Sequence, residues 1–366
     1  MQGREGKVMK NYLKKIVAKA ELSFFEIEEL VQIIANREAS DGQIGAFLVA
    51  ITEKGVSNDE FFGFASAMRK FSNRVIIDKY VVDSCGTGAD LSKTINVSTA
   101  SAIVASAYGV NVLKQTNSAI TSECGSTDFL GALNIDIATL PHDAKKQFDE
   151  NGIAFVHSPY FNDFARVNNP IRQQVGLKTI FNYLGPLINP AFPNAQLLGV
   201  SANDMCEKMV YALQKLGTDR ALVVNGLEPN LDEISICSKT AVWELKNGEI
   251  ATYELSPEDF GFETVDLKEV QGGDNTLNAQ IIQDIFKGEI KGAKLHIILM
   301  NAGAMIYLAG FTPTIFEGAL MAKKAIECGS AYEKLIELQG VAAGKIASVE
   351  SLGAATFALS RNDVRG

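Results

Sequence analysis

Residues 83–101, DSCGTGADLSKTINVSTAS, constrain the chain more than any other stretch. The β-branched run VIIDKYVV leads into them, two glycines allow a sharp turn, and the small-residue segment ASAIVASAYG follows. That order spells a strand, a tight turn and a helix. A GTG turn lets successive backbone N–H groups converge on one point, which makes an anion-binding concavity. The helix entered at Ser98 and Thr99 offers a second set of free N–H groups at its positive end. Asn96, Ser98 and Thr99 add side-chain donors, and the hydroxyls can reach a magnesium ion. No Gly-Lys-Ser/Thr closes the loop, so it is not a Walker turn, and G-x-G-x-x-G is absent, so it is not a dinucleotide fingerprint. A lone GTG is as easily a plain turn before a helix cap. The density of Gly, Ser, Thr and Asn over the whole stretch favours a phosphate cradle.

Around this segment the chain divides into two regimes. Residues 1–75 read as helices without strands, with Ser23 capping a helix whose Ile27, Leu30, Val31 and Ile34 share a face. A second apolar stripe ends at Gly55 and a third opens at Asn58 or Asp59. The Lys-rich start lacks the apolar block of a signal peptide and reads as a helix start behind a few disordered residues. From residue 76 to 366 short apolar runs alternate with amphipathic stretches. VNVLK (110–114), IAFVH (153–157), RALVVNG (220–226) and KLHIILMNAG (294–303) are the strand-like runs. The expected fold is therefore α/β: a small N-terminal helical domain, then a large α/β domain with a mostly parallel central sheet and binding loops at the carboxyl ends of its strands. The Pro-punctuated helical stretch at about 165–190 is a candidate to return to the first domain.

Composition narrows the function. Net charge is −9, with no basic stripe, which argues against nucleic acid. The longest apolar run, HIILMNAGAMIYLAGF, is too short to span a bilayer and is interrupted by Asn301, so no membrane partner is expected. Five scattered cysteines without a C-x-x-C pair read as reduced thiols of a cytoplasmic protein.

Two further loops carry chemistry. KQTNSAITSECGSTD (114–128) follows a predicted strand; its Lys114 can neutralise a phosphate as a point charge, or be merely solvated. In NLDEIS (230–235), Asp232 and Glu233 can turn toward one hard cation, an arrangement suited to magnesium bound through carboxylates and substrate phosphates. An acidic pair alone is more often a solvated face.

These segments, in this order, resemble the anthranilate phosphoribosyltransferase family. Its GTGGD and N-x-S-T stand here as Gly86-Thr87-Gly88-Ala89-Asp90 and Asn96-Val97-Ser98-Thr99. Its K-H-G-N-R-A stands as Lys114-Gln115-Thr116-Asn117-Ser118-Ala119, followed by Gly125-Ser126-Thr127-Asp128, and its acidic pair as Asp232-Glu233. The likeness covers nearly the whole chain, leaving the first ten residues and the tail after about Gly340 unfamiliar. The resemblance implies a homodimer and a magnesium-dependent transfer of ribose 5-phosphate from phosphoribosyl pyrophosphate to the amine of anthranilate, in tryptophan biosynthesis. It assigns the donor to Gly86, Ala89, Asp90, Thr94, Asn96, Ser98, Thr99, Lys114 and Ser126. It assigns magnesium to Ser98, Asp232 and Glu233. Gly86, Asn117 and Arg172 (of NPIRQQVG) would meet the acceptor, Arg172 through its carboxylate. No catalytic base is identified; an amine that attacks neutral and loses its proton late needs none, which suits a chain with three histidines.

The departures fall on the acceptor side. The family's His, Gly and Arg are Gln115, Thr116 and Ser118, and its His-Pro-Ala is Asn162-Asp163-Phe164. Asp163 would oppose an incoming carboxylate unless it points away. The alternatives are therefore the same donor chemistry on another aromatic acceptor and a non-catalytic relative that binds nucleic acid. A nucleoside phosphorylase would not need the acidic pair.

Overall fold

The computed structural model describes residues 2–88, 92–117 and 125–340, with side chains from residue 8 onward. The chain opens with helices α1 (Gln2–Val17), α2 (Phe24–Ala35), α3 (Asp41–Lys54) and α4 (Asn58–Lys70). Helix α1 starts at Gln2, so the disordered lead expected there is helical instead. Helices α2, α3 and α4 each begin with a reciprocal capping box: Ser23 with Glu26, Ser40 with Gln43, Ser57 with Glu60. Each cap satisfies two orphan N–H groups, and losing one costs about 0.5–2 kcal/mol. The cap of α4 is thus Ser57, one residue ahead of the expected Asn58 or Asp59.

The rest follows as β1 (Val82–Gly86), α5 (Val97–Tyr108), β2 (Val112–Thr116), α6 (Ser126–Ala132), α7 (Pro141–Asn151), β3 (Ile153–His157), α8 (Ser158–Phe161), α9 (Asp163–Val175) and α10 (Phe181–Leu184). Then come β4 (Ala195–Gly199), α11 (Asn203–Lys215), β5 (Arg220–Gly226), β6 (Thr240–Lys246), β7 (Glu249–Leu255), α12 (Asn275–Phe286), α13 (Ala293–Leu308), α14 (Ile315–Glu327) and α15 (Ser330–Leu338). The sheet runs β3-β2-β1-β4-β5-β6-β7, parallel from β3 to β5 and antiparallel through the last two strands. The run at 294–303, expected as a strand, is the middle of α13, which is buried on nearly every side. An apolar run cannot distinguish a core strand from a core helix by periodicity.

The strand order places the site. After β1 the chain winds outward to β2 and β3, then crosses back to lay β4 on the other side of β1. The carboxyl ends of β1 and β4 therefore form the topological switch point, the crevice where open α/β sheets bind ligands. One core covers one sheet face with α5, α12, α13 and α14. A second joins the N-terminal helices to α9, α10 and α11 and to the opposite face of β4 and β5. Phe181 of α10 is its keystone, with ring centroids 5.7 Å from Phe47, 5.9 Å from Phe64 and 5.3 Å from Phe164.

Helices α13 and α14 cross with their backbones in contact. A Cβ on Gly303 would lie 2.3 Å from the Ala319 nitrogen. Gly303→Ala should therefore cost about 1–3 kcal/mol as an overpacked core and lower Tm by several degrees in a calorimetric scan. An unchanged Tm would contradict this packing.

Candidate active site at the switch point

The loop after β1 is held by backbone and hydroxyl contacts to the loop after β4. Thr87 N–H donates to the Gly199 carbonyl (2.9 Å), and Ser201 N–H donates to Thr87 Oγ1 (3.0 Å). Ser201 Oγ donates to the Gly88 carbonyl (2.9 Å) and accepts from Lys178 Nζ (3.0 Å). Ser201 and Lys178 were not read from sequence. Neither sits in a glycine-rich motif, and only the strand order brings their loops beside β1.

Asp232 is wedged into the same crevice. Its Oδ2 accepts from the Gly88 N–H at 2.7 Å. A Cβ on Gly86 would stand 2.2 Å from that oxygen, and one on Gly199 would stand 1.6 Å from the Asp232 carbonyl oxygen. Glycine is thus demanded at the ends of both central strands by close approach. The acidic loop is brought there by a tight reversal, with Gly226 and Leu231 exchanging backbone bonds of 2.8 and 3.0 Å. Fully buried Asn301 clamps it. Its Oδ1 accepts from Ile234 N–H (2.9 Å), while its Nδ2 donates to the Ile234 carbonyl (3.0 Å). The residue that interrupts the apolar run of α13 is the one that fixes the acidic loop.

On the other side of β1, Lys114 is 1% exposed, so it is not a solvated loop lysine. Its Nζ donates to the Ser84 carbonyl and, at 3.2 Å, to Ser98 Oγ in the first turn of α5. Buried Asp83 lies beneath it, taking a hydrogen bond from Gln196 Nε2 at 3.2 Å. Burial raises the Asp83 carboxyl pKa, and the Lys114 ammonium pulls it back down. Burial, reinforced by Asp83, also raises the Cys85 thiol, which excludes it as a thiolate nucleophile.

Helix α5 begins at Val97 with Asn96 as its cap residue, so Ser98 and Thr99 lie inside the first turn rather than before it. That turn contains no acidic residue to compete for an anion. Asn96 Oδ1 accepts from Asn278 Nδ2 at 3.1 Å. The Thr99 hydroxyl is buried with no partner among the described residues; its N–H is one of the first-turn donors that have no intrahelical acceptor. Thr94 is fixed by a bridge to Gln271. Ser126 Oγ accepts from Asn117 N–H (3.2 Å) and donates to the Asn117 carbonyl (3.3 Å). Ala89, Asp90 and Ser118 lie outside the described residues.

A cleft partly open to solvent runs from Asn117 along α9; Ser158, Phe164, Asn168, Arg172 and Phe181 are among its walls. Arg172 Nη1 donates to Asn169 Oδ1 at 3.2 Å, and its buried Nε has no partner among the described residues. Burial pushes its pKa down to about 10, which leaves it a cation at neutral pH.

The altered positions resolve individually. Gln115 donates through Nε2 to the Gly185 carbonyl (2.9 Å), its buried Oε1 having no partner among the described residues, and Thr116 donates to the Val156 carbonyl (3.1 Å). Asn162 caps α9 through Ala165 N–H (3.0 Å) and ties it to the Met68 carbonyl (2.8 Å). Asp163 points away, in an exposed 2.7 Å pair with Arg166. Of the His-Pro-Ala replacements, only Phe164 lines the cleft. His157, at the end of β3, has its pKa lowered by burial, with Asp128 opposing.

Asn301→Leu, nearly isosteric, should leave the Ile234 backbone unpaired at a cost of about 1–3 kcal/mol and weaken magnesium-pyrophosphate binding. Calorimetric titration showing wild-type affinity in this variant would remove Asn301 from the site's support.

Sequence profiles of two glycosyl transferase family domains match the chain, the helical bundle domain over residues 10–72 and the a/b domain over 78–332. An anthranilate phosphoribosyltransferase of Methanocorpusculum labreanum is 39% identical over 335 residues, covering 91% of this chain and 98% of that protein. The structure is similar to that of the Thermus thermophilus anthranilate phosphoribosyltransferase, with TM-score 0.83, 33% identity and coverage of 90% and 98%. It is equally similar to the Saccharomyces cerevisiae enzyme in complex with phosphoribosyl pyrophosphate and magnesium, with TM-score 0.83, 26% identity and coverage of 91% and 98%. The chain belongs to the anthranilate phosphoribosyltransferase family.

Proposed function

We propose that the protein transfers the 5-phosphoribosyl group from phosphoribosyl pyrophosphate to the amine of anthranilate, releasing pyrophosphate, as a cytoplasmic homodimer serving tryptophan biosynthesis. One observation carries the reading. Asn117 lines the cleft that holds Arg172 and is also bonded through its backbone to Ser126, so the acceptor cleft and the donor loops meet at one residue.

In this reading the turn at Gly86–Gly88, the first turn of α5, Thr94, Asn96, Lys114 and Ser126 hold the donor's phosphates, with Ala89 and Asp90 completing the loop. Asp232, Glu233 and Ser98 would hold magnesium through hard oxygen donors, and Asp232 stands against the phosphate turn. Among the described residues no group of three or more His, Cys, Asp or Glu forms a closed cage. An ion shared with substrate phosphates needs only one or two carboxylates. Bound there, magnesium supplies shielding of the leaving group's negative charge.

The chain's own groups do the rest. As the C1–oxygen bond breaks, charge grows on pyrophosphate, and the N–H dipoles of the first turn of α5, which carries no acidic residue, stabilise it without reorganising. Lys114 adds a buried cation whose position is set by Ser84 and Ser98. Arg172 pairs with the acceptor's carboxylate, Phe164 and Phe181 flank its ring, and Asn117 faces the amine. The amine lone pair forms the C1–N bond, pyrophosphate leaves with the bonding pair, and the surplus proton passes to solvent. Holding both reactants in a fixed geometry is itself a large share of the acceleration.

Anthranilate is favoured over another aromatic acceptor because Thr116, Asn162 and Asp163 make their contacts with the scaffold. The test is to follow loss of anthranilate fluorescence with phosphoribosyl pyrophosphate and magnesium. Turnover is expected; pyrophosphate release only with a different aromatic acceptor would overturn the assignment. Arg172→Ala should raise the KM for anthranilate about 10- to 100-fold, as loss of a charge-assisted bond, with the donor KM unchanged. Asp232→Ala with Glu233→Ala should raise the magnesium requirement steeply, and unchanged metal dependence would take both out of the site.

A further inference from the structure

Asn168 lies on α9 one turn before Arg172, and both line the acceptor cleft. It is 1% exposed, and its Oδ1 has no hydrogen-bond partner among the described residues. A buried amide oxygen without a partner is rare in a native fold and calls for a cause. The nearby amide donor of Asn162 does not supply one: its Nδ2 is taken by the Met68 carbonyl and the Ser72 hydroxyl. Arg172 Nε is likewise buried and unpartnered. Two residues of the cleft wall, at positions i and i+4 on one helix face with Cβ atoms about 5–6 Å apart, thus carry an orphan acceptor and an orphan donor.

We propose that Asn168 is the positioning and specificity residue for the acceptor's amine. This rests on the anthranilate reading above. A ring carrying a carboxylate and an amine on adjacent carbons matches the pair: the carboxylate takes the Arg172 guanidinium, and one amine N–H donates to Asn168 Oδ1. That bond turns the nitrogen lone pair away from α9, toward the Asn117 end of the cleft and the donor. It strengthens as the nitrogen gains positive charge while bonding to C1, so it assists the transition state more than ground-state binding. No covalent bond to Asn168 forms, and the amine proton is lost afterwards to solvent.

The experiment compares anthranilate with benzoate, which keeps the carboxylate and lacks the amine. Affinities are measured calorimetrically in the presence of magnesium pyrophosphate. Wild type should prefer anthranilate by about tenfold, the worth of one buried hydrogen bond and its desolvation. Asn168→Leu should lose that preference while keeping benzoate affinity and pyrophosphate binding, and its kcat should fall further than its KM rises. Asn168→Asp keeps an acceptor oxygen and should keep the preference, with both ligands weakened alike by its charge; Asn168→Ala serves should the leucine variant misfold. An unchanged anthranilate-to-benzoate ratio in both the leucine and alanine variants would overturn the assignment of Asn168 alone. A wild-type protein that binds benzoate and anthranilate equally would overturn it too, and one that binds neither would sink the anthranilate reading with it.

Discussion

The site depends on the wedge that Asp232 makes between the ends of β1 and β4. Its carboxylate and its carbonyl occupy the space where side chains at Gly86 and Gly199 would stand, and its Oδ2 takes the Gly88 N–H. One contact thus sets the curvature of the phosphate turn, the distance of the acidic loop from it, and the requirement for two glycines. It is local in space and remote in sequence, so everything that places residues 230–235 contributes, above all the buried Asn301 clamp from α13.

The same economy applies beneath the loop. Burying Lys114 is costly unless its charge is compensated, and the compensation is Asp83 in the adjacent strand, together with the Ser84 carbonyl and Ser98 hydroxyl. The cation is held rigidly under the end of α5 and loses little freedom when an anion arrives. The acceptor side is built differently. It hangs on α9 and α10, which pack with the N-terminal helices through Phe181, so the cleft lies between two bodies of structure, where small-molecule sites are commonly found.

The donor loops were legible because their signals are local. A strand, a GTG turn and a small-residue helix occupy consecutive residues, Lys114 lies within β2, and Asp232-Glu233 follow β5. What was missed depends on packing. Strand β4, AQLLG, carries no β-branched residue; the β6–β7 hairpin is the exception, turning on Asn247-Gly248, a signal local in the sequence. The run at 294–303 read as a strand because a helix buried all round has no polar face to betray its period. Nothing in NNPIRQQ marks Asn168 out, since burial is invisible in one dimension. The departures at 116, 162 and 163 fall among acceptor-side motifs, yet their side chains serve the scaffold. Residue type signalled a change there; only direction in space shows what the change touches.

The central claim is that the donor's phosphates and the acceptor's carboxylate occupy opposite sides of Asn117. A crystal structure with magnesium pyrophosphate and anthranilate tests it most directly. The account predicts pyrophosphate against the Gly86–Gly88 turn beside Asp232 and Glu233, with the anthranilate carboxylate on Arg172. Pyrophosphate bound away from the β1–β4 crevice, or anthranilate with its carboxylate turned from Arg172, would contradict it.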